Sequence, residues 1–290
     1  MKHARTSRQP QTGIALLLTI MCSIGIVSCS SSNEPAPTPL PTGTAGAEES
    51  VGERLFLETR FAQAFKASLD HGGDINDPNS GDRALDTVET LGSPIGPGPF
   101  KGLSMNCRAC HLVDDVLDAP GGGMRTYADF ARRSPLPARA DGKTVAVRNS
   151  PPLVNSALDR PDGVLFHFDA EFNSMEELVA ATFTGRNFGW LPGERAQAIA
   201  HIARVVRSDD GTGDLAKEFD GTPFQVLFGG TDASIPEEFR LTAKFRVAVD
   251  SASDQQVFDA VVKVVAAYVN GLLFSQTEDG GVPIRSPFDV

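Results

Sequence analysis

Met105-Asn106-Cys107-Arg108-Ala109-Cys110-His111 is the stretch on which the reading of this chain turns. It contains a C-x-x-C-H motif, the attachment site of a c-type haem. Two thiols three residues apart reach the two vinyl groups on one edge of a porphyrin and form thioethers with them. The imidazole of the next residue then lies under the ring and binds iron on its proximal side. Cys107 and Cys110 are therefore expected to carry one covalent haem c, with His111 as the proximal iron ligand. Competing readings of the motif ask for residues the chain lacks. Structural zinc takes four N/S ligands, usually from two Cys/His pairs, and there is no second pair. A redox C-x-x-C calls for a βαβ setting that the flanks do not show. A structural disulfide leaves His111 without a role.

The N-terminus gives the protein an address. Lys2, Arg5 and Arg8 form a positive region, and an apolar run over residues 13–27 leads to Ile26-Val27-Ser28-Cys29. This is a secretory signal, and its end resembles the lipobox of bacterial lipoproteins, in which the cysteine becomes the first mature residue and carries lipid. Residues 1–28 are read as the signal and Cys29 as the lipidation site. A plain signal peptide cut nearby and an uncleaved anchor are the alternatives, but about 15 apolar residues span a bilayer poorly. The expected location is the bacterial cell envelope, with the protein lipid-anchored and facing the periplasm or exterior. The four cysteines are then all assigned: Cys22 leaves with the signal, Cys29 takes lipid, and Cys107 and Cys110 take haem.

Residues 29–47 are rich in Ser, Pro, Thr and Gly with no apolar period, and read as a disordered tether. Residues 48–290 remain as the folded part. The whole chain carries 26 basic and 37 acidic residues, and loss of Lys2, Arg5 and Arg8 leaves 23 basic ones and a net charge of −14. That balance argues against nucleic acid or an anionic surface as partner and suits a basic redox partner protein. Simple solubility explains the same charge.

The periodicity predicts a mainly α protein with long irregular loops, and the C-x-x-C-H motif within it leads to the expectation of a cytochrome c-like helical haem domain. Val51, Leu55, Phe61, Phe65 and Leu69 recur on one helical face over residues 48–69, and His71-Gly72-Gly73 stops that helix. Residues 74–98 form a long loop that can wrap a cofactor. Gly121-Gly122-Gly123 opens another, which Pro135 and Pro137 keep irregular. Helices are expected over residues 175–183 and 194–207, the latter burying Ile199, Ile202 and Val206. The clearest covers residues 254–274, with Ser253 and Gln256 as a capping box and Val257, Val261, Val265, Tyr268 and Leu272 as its stripe. Short strands are expected around residues 245–249.

The order of motifs resembles the N-terminal half of the bacterial di-haem cytochrome c peroxidase and MauG family. Val51-Gly52-Glu53-Arg54-Leu55-Phe56-Leu57-Glu58-Thr59-Arg60-Phe61 is similar to that family's opening G-x-x-L-F-x-D-x-R-L/F helix. Gly102-Leu103-Ser104 with the C-x-x-C-H run is similar to its first haem motif. Arg148-Asn149-Ser150-Pro151-Pro152-Leu153-Val154-Asn155 is similar to its R-N-S/T-P-x-L-x-N segment. Phe166-His167-Phe168-Asp169-Ala170-Glu171 through Met175-Glu176-Glu177-Leu178 resembles F-W-D-G-R-x-x-S/D-L-x-x-Q. The resemblance covers roughly residues 50–190. It implies a haem oxidoreductase and, through Asn155, a contribution to a calcium site between two domains.

The departures from the family matter as much. There, one haem feeds electrons and a second meets peroxide, whereas this chain has a single C-x-x-C-H. Phe168 stands where many relatives have Trp, the Gln they carry on the helix near Leu178 is absent, and residues 182–190 hold no Glu to match their distal acid. The Gly-rich loop after the motif holds no histidine. Without an acid/base over the iron, peroxide cleavage loses a general catalyst typically worth about 10²–10⁴-fold. The reading is therefore a one-electron c-type cytochrome. A peroxide-reducing oxidoreductase completed by a second haem domain or chain, truncated, split off or lost here, is the alternative. A haem-storage lipoprotein is a third.

The sixth iron ligand stays open at this stage. Met124 follows three glycines that allow close approach to a haem face, and a thioether raises potential in cytochromes c; Met175 offers the same atom. His167 is the leading histidine, with packing or a propionate contact as its other reading. His71 reads as a helix-end residue and His201 as core-edge or surface. Arg148 and Arg125 are candidates to pair with haem propionates. Trp190 reads as core packing, with an electron relay as the other reading.

Overall fold

The computed structural model describes residues 46–78, 105–108, 110–111, 136–148, 150–151, 153, 155–157, 166–167 and 170–272, and the backbone alone at 115–116 and 124–125. All belong to one compact unit, Pro41–Val290. The described part is mainly α. Its helices are Ala47–Leu57 (α1), Gln63–Asp70 (α2), Met175–Phe183 (α3), Arg195–Ser208 (α4), Asp214–Glu218 (α5), Phe224–Gly229 (α6) and Asp254–Gly271 (α7). Two two-residue strands, Asp115–Val116 (β1) and Met124–Arg125 (β2), pair antiparallel with Asp115 opposite Arg125.

Helix α7 organises the rest. Its start is fixed by a full capping box, the Ser253 side chain accepting from the Gln256 main chain and the Gln256 side chain accepting from the Ser253 main chain. Val257, Val261, Val264, Val265, Tyr268 and Val269 are buried along it, and it packs against α1, α3 and α4. The crossing with α1 is at Gly52, beside which Phe56 meets Tyr268 edge-on with ring centroids 5.2 Å apart. Among the described residues no helix is long and apolar enough to cross a membrane.

The single helix expected over residues 48–69 is two helices broken at residues 58–62. The cause is electrostatic. The Glu58 carboxylate folds onto Arg60, accepting from its main-chain N at 2.9 Å, its Nε at 2.8 Å and its guanidinium at 2.7 Å. Arg60 also donates to Asp209 at 2.8 Å, and Asp209 accepts from Arg54 at 2.7 Å and from the Phe224 main chain at 2.9 Å. Arg54 donates to Thr222 O and lies over the Phe224 ring, 4.0 Å from its centroid. All four charged side chains are nearly excluded from solvent. A continued helix would pull Arg60 away from Asp209, and a buried charge without its partner is costly.

Other expectations fare differently. Helix α2 ends at His71, with Gly72 at φ 90° and Gly73 N donating to Ser68 O. Helices α3 and α4 form where the periodicity places them, α3 capped by Ser174, whose side chain accepts from Glu177 N. The strands expected at residues 245–249 do not form. Ala243–Phe245 is a 3₁₀ turn, and the chain beyond it is held by Val247 N donating to Phe228 O and by Arg246 Nε donating to Leu241 O. The apolar alternation there seats Phe245 and Val249 in the core one side chain at a time, with no partner strand. Residues 79–98 and 273–274 lie outside the described residues.

Candidate functional site

The Cys107–His111 segment is built onto the end of α1. The last carbonyls of a helix have no partners within it, and here two are used by the incoming segment. Phe56 O accepts from Cys107 N at 3.3 Å, and Leu57 O accepts from the Asn106 side-chain amide at 2.7 Å. The motif then makes one tight turn, Cys110 N and His111 N both donating to Cys107 O at 3.1 and 3.0 Å. That turn brings both thiols and the imidazole onto one cavity, and neither cysteine is in a disulfide.

The cavity holds about 570 Å³ of empty space when the open solvent at its mouth is counted. Its walls are mainly apolar. Helix α1 contributes Phe56 and α7 contributes Val265 and Val269. Helix α3 contributes Met175, Leu178, Val179, Thr182 and Phe183, followed by Asn187 and Phe188. The α3 residues fall at the i, i+3, i+4, i+7 spacing of one helical face, and that stripe is how sequence alone points to them.

The His111 ring is held in one orientation and one tautomer. Its Nδ1 lies 2.9 Å from Pro151 O. A carbonyl only accepts, so Nδ1 carries the proton and Nε2 keeps its lone pair, an arrangement that orients ligating histidines. Burial lowers the imidazole from 6.5 to about 4, against the Pro151 hydrogen bond and with some help from the His167 charge. Burial, with the neighbouring Cys110, pushes the Cys107 thiol well up. Two free thiols, a neutral imidazole with Nε2 available and apolar walls form a donor set that fits a covalently held haem.

Of the other sequence candidates Met175 lines the cavity, and the rest lie elsewhere or outside the described side chains. His167 is exposed, does not line the cavity, and holds Glu171 through Nδ1 at 3.0 Å with Phe172 against its ring. Its backbone takes φ 66°, uncommon for a residue with a side chain. Arg148 is exposed and does not line the cavity. Met124 and Arg125 are described only as strand backbone, and Cys29 and Phe168 lie outside the described residues. Asn155 takes φ 60°, and its main-chain N donates to Leu272 O at 2.8 Å. Among the described residues no three His, Cys, Asp or Glu side chains gather for a metal ion such as calcium.

His201 is corrected from edge to core. It is only 3 % exposed, donates from Nε2 to Arg60 O at 2.7 Å, and sits between the Trp190 and Phe65 rings. The apolar side of α4 holds it because Arg60 O offers it an acceptor within the core. Trp190 is buried, as core packing requires. No family model, no curated protein and no solved structure matches the chain.

Proposed function

We propose that this chain is a c-type cytochrome, tethered by lipid at Cys29 to the bacterial cell envelope, that carries one covalent haem and transfers single electrons to and from a redox partner protein. The observation that carries the reading is the convergence of Cys107, Cys110 and His111 on one apolar cavity, with Pro151 O fixing the His111 tautomer. The finer fold, a cytochrome c-like helical haem domain, goes with it. Its support is the close crossing of α1 and α7, both of which line the cavity beside the motif.

When bound, the haem supplies reversible one-electron exchange. The protein's residues set the conditions. Cys107 and Cys110 hold the group against loss to the surroundings. His111 binds iron through Nε2 and is kept from turning by Pro151 O. Phe56, Val179, Phe183, Val265 and Val269 keep water from the site, and a dry site favours the less charged state of the redox pair. The acidic surface, net −14 after signal removal, favours encounter with a basic partner.

The test is production of the mature chain alongside haem c maturation machinery. The expected product gains the mass of one haem that denaturant and acid acetone fail to remove, and it titrates reversibly as a one-electron couple. Cys107→Ser with Cys110→Ser abolishes the covalent haem. A wild-type chain that folds without attached haem overturns the proposal.

A further inference from the structure

His201 is buried with one ring nitrogen unused. Its Nε2 donates to Arg60 O, so Nδ1 carries the lone pair, and among the described residues no group meets it. The ring lies between Trp190 and Phe65, both buried, with centroids 5.9 and 6.2 Å away. A proton arriving at Nδ1 would put a charge and a new N–H group into an apolar slot without an acceptor, which is costly. Trp190 Nε1, also without a partner, is a donor and offers nothing to it. The charged groups around the slot do not offset the cost. Lys66 and Asp70 reach it from α2 and pair with each other at 2.6 Å, and Arg204 adds a second cation from α4. Residues 58–62 supply the Arg60 carbonyl, while the Arg60 and Glu58 side chains are held with Asp209. Beside Trp190, Arg139 and Glu194 pair at 2.7 Å.

One wall of the slot is lightly held. Helix α2 covers His201 through Phe65, and its buried side chains are Phe65 and Leu69. It has eight residues, and its N-cap, Ala62, makes no side-chain hydrogen bond. A helix that short is marginal without tertiary packing. Both its ends are places where the chain can turn. Ala62 is extended, and Gly72 takes φ 90° with Gly73 following. The segment before it is anchored independently of His201. The Arg60 guanidinium is held by Glu58 and Asp209, and the Phe61 ring meets Phe183 edge-on with centroids 5.6 Å apart.

We propose that α2 is an acid-released latch: proton uptake at His201 Nδ1 lifts Gln63–Asp70 off α4, between hinges at Ala62 and at Gly72–Gly73, while α1, α4 and α7 stay packed. The chemistry is a single protonation, with solvent supplying the proton once the slot opens. Closed, burial holds the imidazole down at about 4, with Lys66 and Arg204 helping and the Arg60 hydrogen bond opposing; open, it regains the ordinary 6.5. The open form therefore binds more protons, and falling pH favours it between those values, by up to about tenfold per pH unit. Above about 6.5 both forms are neutral and the latch stays shut. The device makes the fold responsive to acid, and it stands whether or not the Cys107–His111 segment carries haem.

The experiment is amide hydrogen exchange on the full mature protein from pH 7 to pH 4.5, read by mass spectrometry and corrected for the intrinsic pH dependence of exchange. Protection of the α2 amides should fall by up to about tenfold per pH unit below about 6.5, while the α7 amides keep theirs. In His201→Gln, whose amide still donates to Arg60 O and does not titrate, α2 protection should no longer depend on pH. Constant α2 protection in the wild type overturns the latch. Loss of protection in α2 and α7 together also overturns it, because the opening is then global. The same pH course in His201→Gln as in the wild type removes His201 from the role.

Discussion

Gly52 of α1 and Tyr268 of α7 approach so closely that a methyl group on Gly52 would lie 2.6 Å from the Tyr268 Cβ and 2.6 Å from Val264 O. One obstacle is backbone and the other the first side-chain carbon, so neither can swing aside. Gly52→Ala therefore forces the helices apart. Alanine gains up to about 1 kcal/mol of helix propensity over glycine, but overpacking of this kind costs about 1–3 kcal/mol, occasionally more, and here it also loosens the Phe56–Tyr268 contact. Net destabilisation is expected, read as a lower urea midpoint of the variant protein. An unchanged midpoint would show that the crossing is looser than described.

The charged quartet behind the motif makes a second prediction. Asp209 accepts from Arg54, Arg60 and the Phe224 main chain at once. Asp209→Asn removes the charge that both guanidinium groups share and keeps the shape. Removing one member of a buried ion pair typically costs about 3–5 kcal/mol, and a loss of that order is expected in denaturant unfolding. A shift no larger than that of an exposed substitution would mean that water reaches the quartet and screens it.

Asn106 carries a third. Its amide donates to Leu57 O at 2.7 Å from a buried position just before Cys107. Asn106→Ala leaves a carbonyl of the α1 terminus without its partner, a loss of about 1–3 kcal/mol, and frees the segment that presents both thiols. The expected outcome is a lower unfolding midpoint together with less haem per chain by mass spectrometry. Asn106→Asp, which keeps the shape but not the donor, should repeat the effect. Full loading in both variants would show that the Cys107 N to Phe56 O bond alone positions the motif.

How far the sequence speaks depends on the range of the force involved. Helix α7 was legible because its signals are local: Ser253 caps Gln256 three residues away, and its valines repeat at the helical period. Helix α3 was legible for the same reason. The break between α1 and α2 was not, because Arg60 is held by Asp209, 149 positions distant. The burial of His201 likewise depends on Arg60 O, 141 positions distant. At the site, Cys107, Cys110 and His111 announced themselves by spacing, and the structure brings them together. His167 was singled out by its place in the Phe166-His167-Phe168-Asp169 run, and the chain turns it outward. Thr182 shares the helical stripe of α3, whereas Asn187 carries no sequence signal and is distinguished only by its placement on the cavity wall.

The fourth prediction concerns pH and rests on His201. Burial holds its imidazole down at about 4, against an ordinary 6.5. The unfolded chain therefore takes up a proton between those values and the folded chain does not. Stability rises with pH wherever the unfolded state binds more protons, so this contribution is complete above about pH 6.5 and is lost as the pH falls toward 4. At about 1.36 kcal/mol per unit, the loss attributable to His201 is about 3 kcal/mol. Glu58 acts in the same direction at lower pH: burial works against its charge, but Arg60 outweighs that and holds it below the usual carboxylate range. His201→Gln separates the two, because the amide still has a donor for Arg60 O and does not titrate. Unfolding free energies of the two proteins from pH 7 to pH 4 should converge as the pH falls, wild type losing the more. Parallel curves would show that His201 is protonated within the fold as easily as outside it.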